Sequence, residues 1–396
     1  MKIKRTLLSA LAAILLLAGC GIKQTTPQNL SLKEAFGDKF LVGVALNTRQ
    51  VAGKDSAATR LIKRHFNSIV AENCMKSVNI HPEEGRYNFG AADSIVEYGE
   101  KNGMAVIGHC LIWHSQCAPW FCVDKEGKNV SPDIMKQRMK EHITTVVNRY
   151  KGRIKGWDVV NEAISGGGDD GEGFYTLQSA KNVSAEDAKN NFYWQDYLGN
   201  EDYVRIVVAA ARKYYAENGG VNPLKLFVND YNLESDWDDN KKVKSLVHWI
   251  EKWEADGVTK IDGIGTQMHV SCYANAVTQK SKEDHVEKMF QILAESGKLV
   301  KITELDMGYI DENGTSVKTE NMTEAQHKAM SDYYKFIVKK YFEIIPAAQQ
   351  YGITQWCATD SPSNSSWRGG EPVGLWDANY SRKHTYAGFA DGLSGK

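Results

Sequence analysis

Eight short apolar runs, most of them followed by a stretch of helical periodicity, constrain this chain more than any other feature. The runs are FLVGVAL (40–46), NSIVAEN (67–73), MAVIGHC (104–110), IKGWDVV (154–160), LKLFVND (224–230), IDGIGTQM (261–268), KLVKITEL (298–305) and YGITQWC (351–357). Most are continuously apolar rather than alternating, as parallel strands covered by helices are. ADSIVEYGEKN, DIMKQRMKEHITTVVNRY, EDYVRIVVAAARKYYAENG, KVKSLVHWIEKWEADG and EAQHKAMSDYYKFIVKKYFE repeat apolar residues at three and four. The alternation fits a closed barrel or a large doubly wound sheet. Reactive side chains decide between them. Asn73, His109, Asn161, Glu162, Asn229, Asp230, Gln267, His269, Glu304 and Trp356 fall at or just past C-terminal strand ends. A barrel brings all eight ends into one ring, whereas an open sheet gathers only those near its switch point. The expectation is an α/β chain with a single (β/α)8 TIM barrel over residues 34–396.

The N-terminus reads differently. Lys2, Lys4 and Arg5 precede an apolar run from Leu7 to Gly19, too short for a membrane-spanning helix and ending in small residues. Leu17-Ala18-Gly19-Cys20 resembles a bacterial lipobox. Residues 1–19 are therefore expected to be a lipoprotein signal peptide, Cys20 the lipidated residue, and 20–33 a polar tether. That implies attachment to the bacterial cell envelope, at the outer membrane or cell surface, with the leaflet open. Losing the three N-terminal cations takes the net charge from −1 to about −4. No basic stripe is present, so nucleic acid is not expected as a partner, while a neutral polymer fits. Nothing calls for a second copy, and a monomer is expected.

Six further cysteines follow. Cys117 and Cys122 are the first pair to try as a disulfide in an exported protein, while Cys110 and Cys357 read as small buried residues. No CxxC, HExxH or early His-x-His occurs, and His109, His114 and His269 are scattered, so no metal or other cofactor is expected.

Two glutamates carry the chemistry. Glu162, in GWDVVNEA, follows an asparagine that can bond a sugar hydroxyl beside the reacting carbon, and it can protonate a glycosidic oxygen. Glu304, in KITELDM, ends an apolar run where an ionised carboxylate needs support, for which His269 and Asp306 are candidates. One carboxyl must be ionised and the other protonated, so their surroundings must differ. Trp113, Trp120, Trp356, Trp367 and Trp376 follow strands three and eight, where indoles can meet the apolar faces of sugar rings. Trp249 and Trp253, on a helix, read as core.

AENCMK (71–76), GHCLIWHSQ (108–116), WDVVNEA (157–163), VNDYN (228–232), DGIGTQMH (262–269), ITELD (302–306) and WCATD…SWR (356–368) occur in the order in which glycoside hydrolase family 10 has its motifs. From about Phe40 to Phe389 the chain resembles this family, the barrel xylanases. The resemblance implies a retaining endo-β-1,4-xylanase with Glu162 as acid/base and Glu304 as nucleophile, about 5 to 5.5 Å apart. It implies that His269 and Asp306 support the nucleophile, and that Asn161 and His109 bind the sugar at the reacting subsite. Gln267, Trp113, Trp356 and Trp367 would shape that subsite and its neighbour. Glu72, Asn73, Lys76 and Gln116 would hold the next xylose toward the non-reducing end. Xylan and xylo-oligosaccharides are the implied partners.

Departures are Ser77 where the family usually has tryptophan, Cys74 within the same motif, Cys110 for a commoner threonine, and Cys357 where glycine is frequent. The long segment after Glu162 is expected to rim the leaving-group side of the cleft. Two other readings stand beside this one: an endo-β-1,4-glucanase of related plan, and a non-catalytic xylan-binding surface lipoprotein.

Overall fold

The computed structural model describes residues 31–36, 40–216 and 224–395. The expected signal peptide, Cys20 and nearly all of the tether lie outside the described residues. A short helix, Leu32–Phe36, opens the described chain, and Leu32 is fully buried. The folded body thus takes in Leu32 and Lys33, which their polar neighbours had placed in the tether.

Nine parallel strands follow: β1 Leu41–Leu46, β2 Ser68–Ala71, β3 Ala105–Trp113, β4 Ile154–Asn161, β5 Lys225–Asp230, β6 Gly263–Thr266, β7 His269–Tyr273, β8 Leu299–Ile310 and β9 Gln350–Gln355. Each pairs with the next from β1 to β6; β6 pairs with β8, β8 with β9, and β9 with β1. The ring closes on eight strands, as the apolar runs predict.

β7 is the ninth strand and stands outside the ring. It pairs only with the outer half of β8, from His269 opposite Asp306 to Tyr273 opposite Ile310. The sequence reading ended β8 at Leu305, because Asp306 and Gly308 break the apolar run. Pairing with β7 carries it five residues further.

Helices 90–101, 132–149, 202–216, 241–254 and 324–344 occupy the periodic stretches. Helix Ala276–Glu295, rich in Lys and Glu, buries only Val286, Met289, Phe290 and Leu293 and was not among them. Trp249 and Trp253 pack into the core. Local chemistry sets the ends: Ser131 caps one helix ahead of Pro132, and Thr323 with Gln326 forms a capping box.

Two glycines make room for the site. A Cβ on Gly108 would lie 2.1 Å from the Trp157 ring, and one on Gly265 would lie 2.5 Å from Oδ1 of Asn229. Neither position admits a side chain without displacing a residue beside the strand ends.

Candidate active site

Asn161 ends β4, and the next residue leaves the strand sharply. Glu162 has φ 58°, a left-handed conformation that costs about 1–3 kcal/mol for a non-glycine residue. Its N–H donates to the Asn229 carbonyl at 2.7 Å, and Asp230 accepts the N–H of Ile164 at 2.9 Å. Lys242 lies 3.0 Å from that buried aspartate. β5 thereby holds the turn that aims Glu162 over the barrel mouth.

Glu162 and Glu304 line one cavity of about 570 Å³. The other expected binding residues line it too: Glu72, Asn73, Lys76, His109, Trp113, Gln116, Asn161, Gln267, His269, Trp356 and Trp367. Asp306 lies behind it and is fully buried.

Neutral amides connect the two carboxyls. Gln267 Nε2 donates to Glu162 Oε1 at 3.0 Å and approaches Asn161 Oδ1 at 3.5 Å. Asn229 Nδ2 donates to Asn161 Oδ1 at 2.8 Å and to Glu304 Oε1 at 2.9 Å. Thr303 donates to Asn229 Oδ1 at 2.6 Å, which fixes that amide's orientation.

The two carboxyls ionise in opposite senses. Burial pushes Glu162 up, and the charges of Asp230 and Glu304 add to this against bonds from Gln267 and Trp113. Trp113 Nε1 donates to Glu162 Oε2 at 2.9 Å. Burial would also raise Glu304, but His269, His109 and Asn229 outweigh it and bring the carboxyl down to about 2. His269 is itself lowered by burial yet held up at about 10 by Asp306 and Glu304. Its Nε2 lies 3.2 Å from Glu304 Oε2 and its Nδ1 2.9 Å from Asp306 Oδ2, so the imidazolium is ion-paired with both carboxylates. Such a pair, one carboxyl biased toward its protonated form and its neighbour held ionised, can deliver a proton and a nucleophile to the same bond.

Around this centre, His109 Nδ1 meets Asp158 Oδ2 at 3.0 Å, and Lys301 meets the other oxygen of Asp158 at 3.4 Å. Lys76 donates to Asn73 at 2.9 Å and lies 5.1 Å from the Trp113 ring centroid. Burial raises the Glu72 carboxyl against the pull of Lys76. Ser77 donates to the Gln116 carbonyl at 3.3 Å, so a hydrogen bond stands where the resemblance implies a tryptophan. Trp356 meets His109 edge to face, and Trp367 donates to Asp306 Oδ2 at 2.8 Å.

Several expectations change. Trp120 donates to the His81 carbonyl and packs on Phe121, while Trp376 is buried against His65, Phe66 and Tyr386; neither lines the cavity. His114 stacks on Tyr193. Cys117 and Cys122 are free thiols. They flank a 3-10 turn, Pro119–Phe121, and donate to the carbonyls of Ala118 and Pro119 instead of meeting. The segment after Glu162 folds back on helix 241–254, through Tyr175 to Ser245 and the stacking of Phe174 on His248. None of its residues lines the cavity, although Gln178 braces Tyr231, which does. Asp170, Glu172 and His248 cluster there, with the Lys252 ammonium 2.7 Å from Glu172.

Asp158, Lys301, Tyr231, Asn232 and Arg368 join the site beyond the residues expected from sequence, and Asn229 gains contacts that its strand-end position alone does not imply. Asp158 and Lys301 had a signal: a charge inside an apolar strand needs a buried partner. Arg368 ends a quoted motif; it lies 3.1 Å from Asp306 and donates to the Val270 carbonyl at 2.8 Å.

The sequence profile described as glycosyl hydrolase family 10 matches residues 31–392. An endo-1,4-beta-xylanase A of Xylanibacter ruminicola is 33% identical over 376 residues, covering 91% of this chain and 90% of that one. An endo-1,4-beta-xylanase/feruloyl esterase of the same species is 39% identical over 283 residues, which is 72% of this chain but 36% of the longer protein. A solved family 10 structure from Paenibacillus barcinonensis superposes with a TM-score of 0.76 at 29% identity, covering 92% of this chain and 97% of that one.

Proposed function

The chain belongs to glycosyl hydrolase family 10, and we propose that it acts as a retaining endo-β-1,4-xylanase on xylan and xylo-oligosaccharides. The observation that carries this reading is the opposed ionisation of Glu162 and Glu304 across one cavity. Glu304 attacks the anomeric carbon while Glu162 gives its proton to the departing oxygen, leaving a covalent glycosyl-enzyme. Esterification removes the Glu304 charge, which is one of the causes that raise Glu162. Glu162 then becomes the stronger acid, ready to take a proton from the water that releases the sugar. Asn161, His109 and Gln267 bind the reacting sugar, with Trp113, Trp356 and Trp367 around it. Glu72, Asn73, Lys76 and Gln116 hold its neighbour toward the non-reducing end. His269 and Asp306 keep the nucleophile ionised.

The names of the relatives support xylan as substrate. Reducing ends released from xylan and from carboxymethylcellulose separate this reading from an endo-β-1,4-glucanase. NMR of the first product tests retention, since a newly released α-anomer would sink the mechanism. A protein that binds xylohexaose without shortening it would be the binding lipoprotein instead.

We further propose that Cys20 is lipidated and tethers the enzyme to the cell envelope. The charged start, the apolar run and Leu17-Ala18-Gly19-Cys20 support this. Labelled palmitate should enter the wild-type protein and not Cys20→Ser; equal labelling would overturn the idea.

A further inference from the structure

Trp237 is the most exposed tryptophan among the described residues, at 66%. Tryptophan is highly buried on average, so an indole this open stands out. It is nonetheless fixed in place. The Lys282 ammonium lies 5.0 Å from its ring centroid and 5.5 Å from that of Tyr273. Asp236 neutralises that ammonium at 2.5 Å and accepts the Ser281 hydroxyl at 3.0 Å. The group offers two aromatic rings that are already immobilised, with no net charge between Lys282 and Asp236.

Its position follows from the strands. Trp237 lies in the loop after β5, whose first residues, Tyr231 and Asn232, line the cavity. Tyr273 ends β7, whose first residue, His269, contacts Glu304. Along β7 the buried residues are Val270 and Cys272, so His269, Ser271 and Tyr273 share the less buried face, where Arg368 donates to Ser271 Oγ at 3.2 Å. That face climbs from the catalytic centre toward the two rings over about 13 Å. Buried Glu234 lies between: burial raises its carboxyl, while the charges of His269, Lys242 and Lys282 lower it. In the eight-strand ring β5, which the Trp237 loop follows, stands opposite β1, and β6, which leads into β7, stands opposite β2. The loops carrying Trp237 and Tyr273 therefore lie across the cavity from Glu72, Asn73 and Lys76.

We propose that Trp237 and Tyr273 form a distal platform for the polysaccharide chain on its leaving-group side, a few sugar units beyond the bond that is cut. This rests on the functional reading above, in which Glu72, Asn73 and Lys76 hold the opposite side. A pyranose presents a flat apolar face that an indole or phenol ring covers, and a chain leaving the cavity along β7 meets these rings next. Their neutral, prearranged surface suits an unbranched neutral chain.

The test compares xylohexaose with an aryl xylobioside, whose leaving group cannot reach the platform. For Trp237→Ala and Tyr273→Ala, the ratio of kcat/KM on xylohexaose to that on the aryl xylobioside should fall about fivefold, mostly through KM. Trp237→Phe should recover most of the loss. Thermal unfolding of Trp237→Ala should match wild type, because the ring is exposed. An unchanged ratio, whether both activities fall together or neither falls, overturns the platform. If the wild type cleaves neither substrate, the functional reading fails instead; calorimetric binding of xylohexaose to wild type and Trp237→Ala then decides the platform separately, equal affinity overturning it.

Discussion

His269 reaches Glu304 with its Nε2 at 3.2 Å while its Nδ1 holds Asp306 at 2.9 Å, so a single imidazolium lies between two buried carboxylates. β7 makes this possible. The strand exists only outside the barrel ring, and its register sets His269 directly opposite Asp306.

This contact makes stability depend on pH in a definite direction. Glu304 is lowered from 4.5 to about 2, so its contribution is present above 4.5 and is lost as pH falls toward 2. His269 is raised from 6.5 to about 10, so its contribution is complete below 6.5 and is lost as pH rises toward 10. The Tm difference between wild type and His269→Gln should therefore be largest between pH 4.5 and 6.5 and shrink toward pH 10. A difference that grows toward pH 10 would contradict the charged pair.

The alkaline limb of kcat/KM should report Glu162, which must be protonated. The Trp113 bond lowers that carboxyl, so Trp113→Phe should move the limb to higher pH. A pH–rate profile on xylohexaose, whose leaving group needs the proton, checks the direction; a shift downward would remove Glu162 from the role of acid.

The two glutamates should fail differently. Glu304→Ala should abolish turnover of every substrate. Glu162→Ala should lower kcat on xylan by about 10²–10⁴-fold and keep far more activity on aryl glycosides with good leaving groups. Equal losses on both substrate types would count against the assigned roles.

Asp158 balances Lys301 and orients His109, and all three are buried. Asp158→Ala strands the lysine charge and should destabilise the fold by about 3–5 kcal/mol, read by denaturant unfolding. A loss below about 1 kcal/mol would mean that the lysine finds water or another partner.

What the sequence made legible follows physical lines. The eight ring strands stand out because a parallel strand under helices is apolar throughout, and Glu162 and Glu304 stand out as polar residues where such runs end. β7 is hidden because HVSCY is short, half-buried, and paired with a stretch that ceases to be apolar at Asp306. Trp120 and Trp376 misled because an indole near a strand end can fill a core or a cleft with the same chemistry. Asn229 looked like one more strand-end amide; only the fold reveals that its NH2 group reaches Asn161 and Glu304 together. The segment after Glu162 is long and polar, the composition of a cleft rim, yet Phe174 and Tyr175 within it find partners on helix 241–254.

The amides between the carboxyls have a consequence of their own. From Glu162 through Gln267, Asn161 and Asn229 to Glu304, every link is a carboxamide. A carboxamide donates and accepts but does not ionise at ordinary pH, so this bridge transmits geometry and insulates against proton traffic. Two acids of opposite protonation state can be held in fixed relation without a conductor joining them. An aspartate at position 229 would set an ionisable link against Glu304, and only Gln267 and Asn161 would still insulate Glu162 from it.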